Sequence, residues 1–179
     1  MKKKRRADAF ALLLAAGLAL VLGLSCGSDE DLDPISELHF KKADPGTFQA
    51  DADPTYSRII YFVFQIQLSD PALSVLPMDA WTIDRYDVAY SLVSDPGGHL
   101  LGLPEDLSER AGASVTPGIQ TRFPITMIQD TYLADNAAGF IGTGDVATVQ
   151  ARVTFKTHRN RDGAGKILST SYTFTIGDF

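Results

Sequence analysis

Val146-Ala147-Thr148-Val149-Gln150-Ala151-Arg152-Val153-Thr154-Phe155-Lys156-Thr157-His158 alternates apolar and polar residues from end to end. Successive side chains of a strand point to opposite faces, so Ala147, Val149, Ala151, Val153 and Phe155 share one face while Thr148, Gln150, Arg152, Thr154 and Lys156 share the other. A helix would mix these two sets, whereas a half-buried strand keeps them apart. Beyond Asn160-Arg161-Asp162-Gly163-Ala164-Gly165 the alternation resumes: Leu168, Thr170, Tyr172, Phe174 and Ile176 oppose Ser169, Ser171, Thr173 and Thr175. The intervening residues tolerate positive φ, so the two runs read as one hairpin.

Working outward, four further strands are expected at about 35–42, 57–68, 81–93 and 120–128. Ile60, Phe62, Phe64, Ile66 and Leu68 line one face of the second; Ile59, Tyr61 and Val63 make its other face half apolar, as in a central strand covered on both sides for part of its length. In 81–93 the apolar set is Tyr86, Val88, Tyr90 and Leu92, after an entry through Trp81 and Ile83. Helical signals are sparse. Leu103 to Arg110, with Pro104 first and Gly112 as a stop, predicts one short turn, and Thr131 to Ala138 is a weaker second candidate.

Six strands, antiparallel where a hairpin can be read, predict an all-β fold: a two-sheet antiparallel β-sandwich. Over about 35–179 the pattern resembles the immunoglobulin or fibronectin type III class, although the cysteine pair of true immunoglobulin domains is absent. No internal repeat or second globular domain is evident.

The N-terminus has a different composition. Lys2 to Arg6 are all basic, and Ala9 to Leu24 are all apolar or glycine. This is the pattern of a signal peptide, shorter than the roughly 20 apolar residues of a spanning helix. Leu22-Gly23-Leu24-Ser25-Cys26 follows and resembles the lipobox of bacterial lipoproteins through Ser25 and Cys26, departing from it at Gly23, where leucine is usual. The resemblance implies a diacylglyceryl group, with its fatty acyl chains such as palmitate, on the Cys26 thiol and cleavage before it. The alternative is ordinary signal cleavage after Gly23-Leu24-Ser25 and secretion with one free thiol. The organisation expected is a signal peptide over 1–25, an acidic flexible tether over 26–34 and a sandwich over 35–179. In a two-membrane cell, Gly27 after the cysteine implies export to the outer membrane.

Removing 25 residues from 179 leaves 154, with 11 Lys and Arg against 21 Asp and Glu, a formal charge of −10. Such acidity excludes nucleic acid as the expected partner. With one cysteine no internal disulfide can form. The run Asp29-Glu30-Asp31-Leu32-Asp33 lacks the turn and glycine of a calcium loop.

The chemistry of catalysis is hard to find. His39, His99 and His158 fall in different elements with no second ligand at metal spacing, and there is no Gly-x-Ser-x-Gly elbow or phosphate-binding glycine loop. No catalytic, metal or cofactor site is expected, and the chain is not read as an enzyme. Asp51 and Asp53 suit turn capping; Asp84 and Asp87, an odd number apart, are expected on opposite faces.

Two patterns suggest binding. Lys156, His158, Arg159, Arg161 and Lys166 gather at the tip of the last hairpin, either as a solubilising charged edge or as a contact for an anionic lipid, polysaccharide or protein. Tyr61, Trp81 and Tyr132 could stack sugar rings, with core packing the expected role of Trp81. The function expected is therefore that of a membrane-anchored envelope lipoprotein that docks to another envelope protein or a polysaccharide. A glycan or small-ligand module is the alternative.

Overall fold

In the computed structural model, residues 36–52, 58–69 and 76–179 are described. Cys26, the signal peptide, the tether and Asp53 lie outside them. Eight strands are present: β1 (Ser36–Asp44), β2 (Gln49–Asp51), β3 (Arg58–Leu68), β4 (Trp81–Ser94), β5 (Leu107–Val115), β6 (Thr121–Ile128), β7 (Val146–Arg159) and β8 (Gly165–Gly177). Among the described residues helix is confined to α1 (Asp130–Asn136) and two single 3-10 turns, Pro77–Asp79 and Ala138–Phe140. One sheet has the order β1-β3-β6 and the other β2-β8-β7-β4-β5. All pairs are antiparallel except β2 with β8, which is parallel. The chain is all-β, and its two sheets make a β-sandwich.

The alternation of β7 sets this arrangement. Ala147, Val149, Ala151, Val153 and Phe155 are all buried, and the residues between them face outward. β7 lies between β8 and β4, so its inner face meets the three-stranded sheet. The Phe155 ring packs edge-on against Phe62, Phe64 and Phe123, at centroid distances of 5.4, 4.9 and 6.1 Å. Those three rings come from β3 and β6, so one side chain of the five-stranded sheet is surrounded by aromatics of the other. Edge-to-face geometry favours ring pairs beyond the area they bury.

Within β4 the ladder to β7 is shifted between Ile83 and Arg85, with Asp84 as the extra residue. This bulge lets buried Ile83 be followed by buried Tyr86, since an extra residue reverses the two-residue phase. It also corrects the expectation for the nearby acids: Asp84 and Asp87 both lie on the outer face, each paired with a β7 side chain. β3 is central in its sheet as expected, but its outer face is covered only at Val63, while Ile59 and Tyr61 stay exposed.

The turn expected within Leu103 to Arg110 does not form. Leu107–Val115 is instead an edge strand paired to β4, and Gly112, read as a helix stop, has φ +63° opposite the β4 bulge. The second helical segment does form, as α1.

Candidate functional site

The hairpin tip is built by β7 and β8. Gly163, at φ +73°, lets the chain reverse, with its N–H donating to Arg159 O at 2.8 Å. The five basic residues do gather around this end, and each faces its own carboxylate. Lys156 Nζ is 3.2 Å from Asp87 and His158 Nδ1 is 2.8 Å from Asp84. Arg161 is 3.1 Å from Asp79 and Lys166 is 2.6 Å from Glu37, while Arg159 pairs with Asp162. The hairpin thus carries a matched set of charges, drawn from β1, the turn before β4, and β4 itself.

Three of these acids are lowered by their partners. The Lys166 hydrogen bond lowers the Glu37 carboxyl, and the Ser108 hydroxyl followed by Lys156 lowers Asp87. Asp162 falls from 3.8 to about 2, chiefly through its hydrogen bond from Arg159. A carboxyl lowered by folding adds stability above its unfolded value and loses it as pH falls through the folded one. The contribution of the Arg159–Asp162 pair should therefore largely persist at pH 4 and disappear between pH 4 and pH 2. Acid denaturation should show a limb in that window which Arg159→Gln flattens; an unchanged limb in the variant would refute the assignment to this pair.

The three aromatics lie apart. Trp81 is buried, as expected for core packing, with the Arg159 guanidinium 5.9 Å from its ring and its Nε1 without a hydrogen-bond partner. Tyr61 is exposed on the outside of the three-stranded sheet beneath Arg122, 4.5 Å from the ring centre. Tyr132, on α1, is half-buried and donates its hydroxyl to Gly102 O at 2.6 Å. Burial pushes that phenol up to about 12. These rings do not form a shared stacking surface.

The histidines also remain separate, beside Glu37, Asp145 and Asp84 respectively. Among the described residues no three His, Cys, Asp or Glu side chains gather as a metal site.

At the other end of the sandwich the structure brings together residues that the sequence reading did not connect with one another. The β4–β5 connection turns at Asp95, whose carboxylate accepts from the N–H groups of His99 and Leu100 at 3.2 and 2.9 Å. It then lies against the α1 segment: Leu101 N–H donates to Asn136 O at 3.0 Å, and the His99 ring meets Phe140 edge-on at 5.4 Å. His99 Nε2 is 3.0 Å from Asp145. Beside this contact is a cleft of about 440 Å³, lined among others by Tyr90, Leu103, Leu107, Gln129, Tyr132 and Asp135. Tyr90 donates to Met127 O at 2.7 Å, so each tyrosine ties opposite walls of the cleft together.

The same end exposes an unusual amount of apolar surface. Leu92, Val93, Leu101, Leu103, Ile141, Val146 and Phe179 are exposed there, Leu101 at 78%. Pairing of Leu92 with Val149 and of Val146 with Gly177 places the strand ends together, and Gly142 N–H donates to Asp178 at 2.6 Å. The available sequence signal was the leucine-rich loop Leu100-Leu101-Gly102-Leu103.

No protein-family model matches this chain, and no curated protein matches it. Among solved structures it is similar to a protein of Archaeoglobus fulgidus known from its crystal structure. The identity is 12%, over 78% of this chain and 94% of that one, with a TM-score of 0.34. So loose a likeness carries neither a fold type nor a function.

Proposed function

We propose that this chain is an exported bacterial envelope lipoprotein, held by a lipid on Cys26 in the outer membrane, whose immunoglobulin-like or fibronectin type III-like sandwich docks to another envelope protein. The lipobox-like Ser25-Cys26 after a basic head and apolar core supports the anchor. The strand order supports the immunoglobulin-like type, because a three-stranded sheet facing a larger one through a central hairpin strand is a layout of that class.

The observation that carries the docking role is the separation of the two ends. Ser36, where the described domain begins, is tied to the turn before β4 by its hydroxyl, which donates to Asp79 O at 3.1 Å. The loops that carry Leu101 and Ile141 are at the opposite end. β7 alone has 14 residues, about 45 Å of extended chain, so those loops are separated by most of that length from the end at which the described domain begins. Exposed apolar side chains gathered on loops at one end suit a protein contact.

The sheet edges are poorer docking elements. β1 has a register shift at Phe40/Lys42, β2 has three residues, β5 has its kink at Gly112 and β6 contains Pro124. Each feature discourages strand addition.

The test combines fractionation with site-specific photo-crosslinking in intact envelopes. Wild-type protein should carry a labelled fatty acid and sediment with membranes, while Cys26→Ala should do neither. A crosslinker at Leu101 or Ile141 should give one discrete protein adduct that a crosslinker at Ser171, on the outer sheet face, does not. An unlabelled wild-type protein in the soluble fraction would overturn the anchor, and equal adducts at all three positions would overturn the docking end. The cleft between Tyr90 and Tyr132 supports a second reading, a small-ligand module, since its size suits one small molecule.

A further inference from the structure

We infer that the end of the sandwich beside Ser36 is itself a membrane contact, in which Leu76, Met78 and Ile119 enter the apolar boundary of the bilayer. The inference rests on the lipid-anchor reading above and deepens it, because it says which surface of the domain the anchor brings down on the lipid.

Three observations converge on this end. The first is its position relative to the chain. Ser36 follows Cys26 by ten residues, which at full extension span at most about 35 Å, so a lipid on that cysteine keeps this end near the bilayer.

The second is the placement of apolar residues on loop tips. Trp81 pairs with both Val115 and Arg159, so the turn Pro77–Asp79, the β5–β6 turn and the hairpin tip share one end. Leu76 and Met78 flank Pro77 and are 43% and 49% exposed. Ile119 closes the turn Thr116-Pro117-Gly118-Ile119, in which its N–H donates to Thr116 O and Gly118 takes φ +79°. It is 61% exposed. Proline and glycine at the middle of that turn fix its shape, so Ile119 is displayed without a large ordering cost. Few aliphatic side chains in a shallow row are what an interfacial contact uses, since the lipid boundary accepts apolar atoms while the loop backbone remains among the head groups.

The third is the charge. Arg159, Arg161 and Lys166 surround this end, yet each is matched by Asp162, Asp79 or Glu37. A surface with free cations would depend on anionic lipid. Matched charge removes that dependence and also spares the surrounding side chains an unpaired charge near hydrocarbon. The contact is therefore apolar in origin, and the basic tip acts as a neutral collar.

Lipidation of Cys26 occupies the native thiol, so one introduced cysteine can carry a polarity-sensitive fluorophore. Full-length lipidated protein with Met78→Cys, Ile119→Cys or, as a control at the far end, Ile141→Cys is placed in vesicles of phosphatidylcholine alone and of phosphatidylcholine mixed with phosphatidylglycerol. The labels at 78 and 119 should shift to shorter wavelength and be quenched by lipids carrying a quencher on the acyl chain, equally in both vesicles and at low and high salt. The label at 141 should keep its aqueous emission. Vesicle-bound protein whose labels at 78 and 119 stay aqueous would overturn this inference and leave the anchor intact. Labels that respond only with phosphatidylglycerol at low salt would replace it with an electrostatic contact. Protein that binds neither vesicle would overturn the anchor and the contact together.

Discussion

Phe155→Ala is expected to be the most damaging single substitution in this domain, lowering stability by about 3–5 kcal/mol. The reason is location more than size. Phe155 is 1% exposed and belongs to the five-stranded sheet, yet its ring partners Phe62, Phe64 and Phe123 belong to the three-stranded one. Truncation removes the buried ring and leaves a void between two sheets whose paired backbones resist collapse. A domain of this length has a total stability of roughly 5–15 kcal/mol, so the loss reaches a large part of it. Urea denaturation followed by far-ultraviolet circular dichroism should show a midpoint moved strongly down with little change in slope. Phe155→Leu keeps most of the volume and should cost roughly 1.5 kcal/mol or less. Ile167→Ala, at a position 67% exposed, should stay within about 0.5 kcal/mol. If Phe155→Ala behaved like Ile167→Ala, the two sheets would not be packed through this ring.

The same distinction between local pattern and distant partner explains what could be read in the chain. β7 and β8 were legible because each has one wet face and one dry face, so burial writes itself into the sequence at period two. β3 was legible for the same reason, whereas in β4 Trp81 and Ile83 read only as an entry to the strand, and the structure shows a bulge between Ile83 and Arg85 with Asp84 as the extra residue. β5 was not legible. Its only fully buried residue is Val115, with Leu107, Ala111 and Ala113 partly buried against the core, so an edge strand with little to hide carried Pro104, Glu105 and Asp106 just before it, residues that open helices equally well. Pairing with β4 then decided the conformation. β2, with three residues, is shorter than any period can register.

The binding patterns divide along similar lines. That Lys156, His158, Arg159, Arg161 and Lys166 share one end followed from the hairpin alone. Their pairing did not, because apart from Asp162, which lies in the hairpin turn itself, the acids that meet them come from elsewhere in the chain: Glu37 lies 129 residues from Lys166, and Asp84 lies 74 from His158. Nor could one sequence show that Leu92, Leu101, Ile141 and Phe179 converge, since their meeting depends on the strand order.

Asp79 is where that distant pairing has its largest expected cost. Its side chain is 2% exposed, and its neighbours bind three segments: the Leu76 N–H donates to Oδ2 at 3.1 Å, Ser36 donates to the Asp79 carbonyl, and Asn160 N–H donates to Ala80 O at 2.9 Å. Oδ1 has no aligned hydrogen bond, only the Arg161 Nη2 at 3.1 Å. Arg161→Ala therefore leaves a buried carboxylate with half its compensation removed, which should cost about 2–3 kcal/mol, somewhat less than a fully enclosed pair because the arginine is 30% exposed. Asp79→Asn removes the charge and frees Arg161 to reach water, so about 1 kcal/mol is expected from the weakened hydrogen bonding. In the double variant the arginine is no longer opposed to any buried charge, and its loss should add little to Asp79→Asn. Urea midpoints of the wild type and the three variants give the coupling directly. Additive losses would mean that the guanidinium and the carboxylate stabilise this end independently, and the turn before β4 would have to be held by its backbone bonds alone.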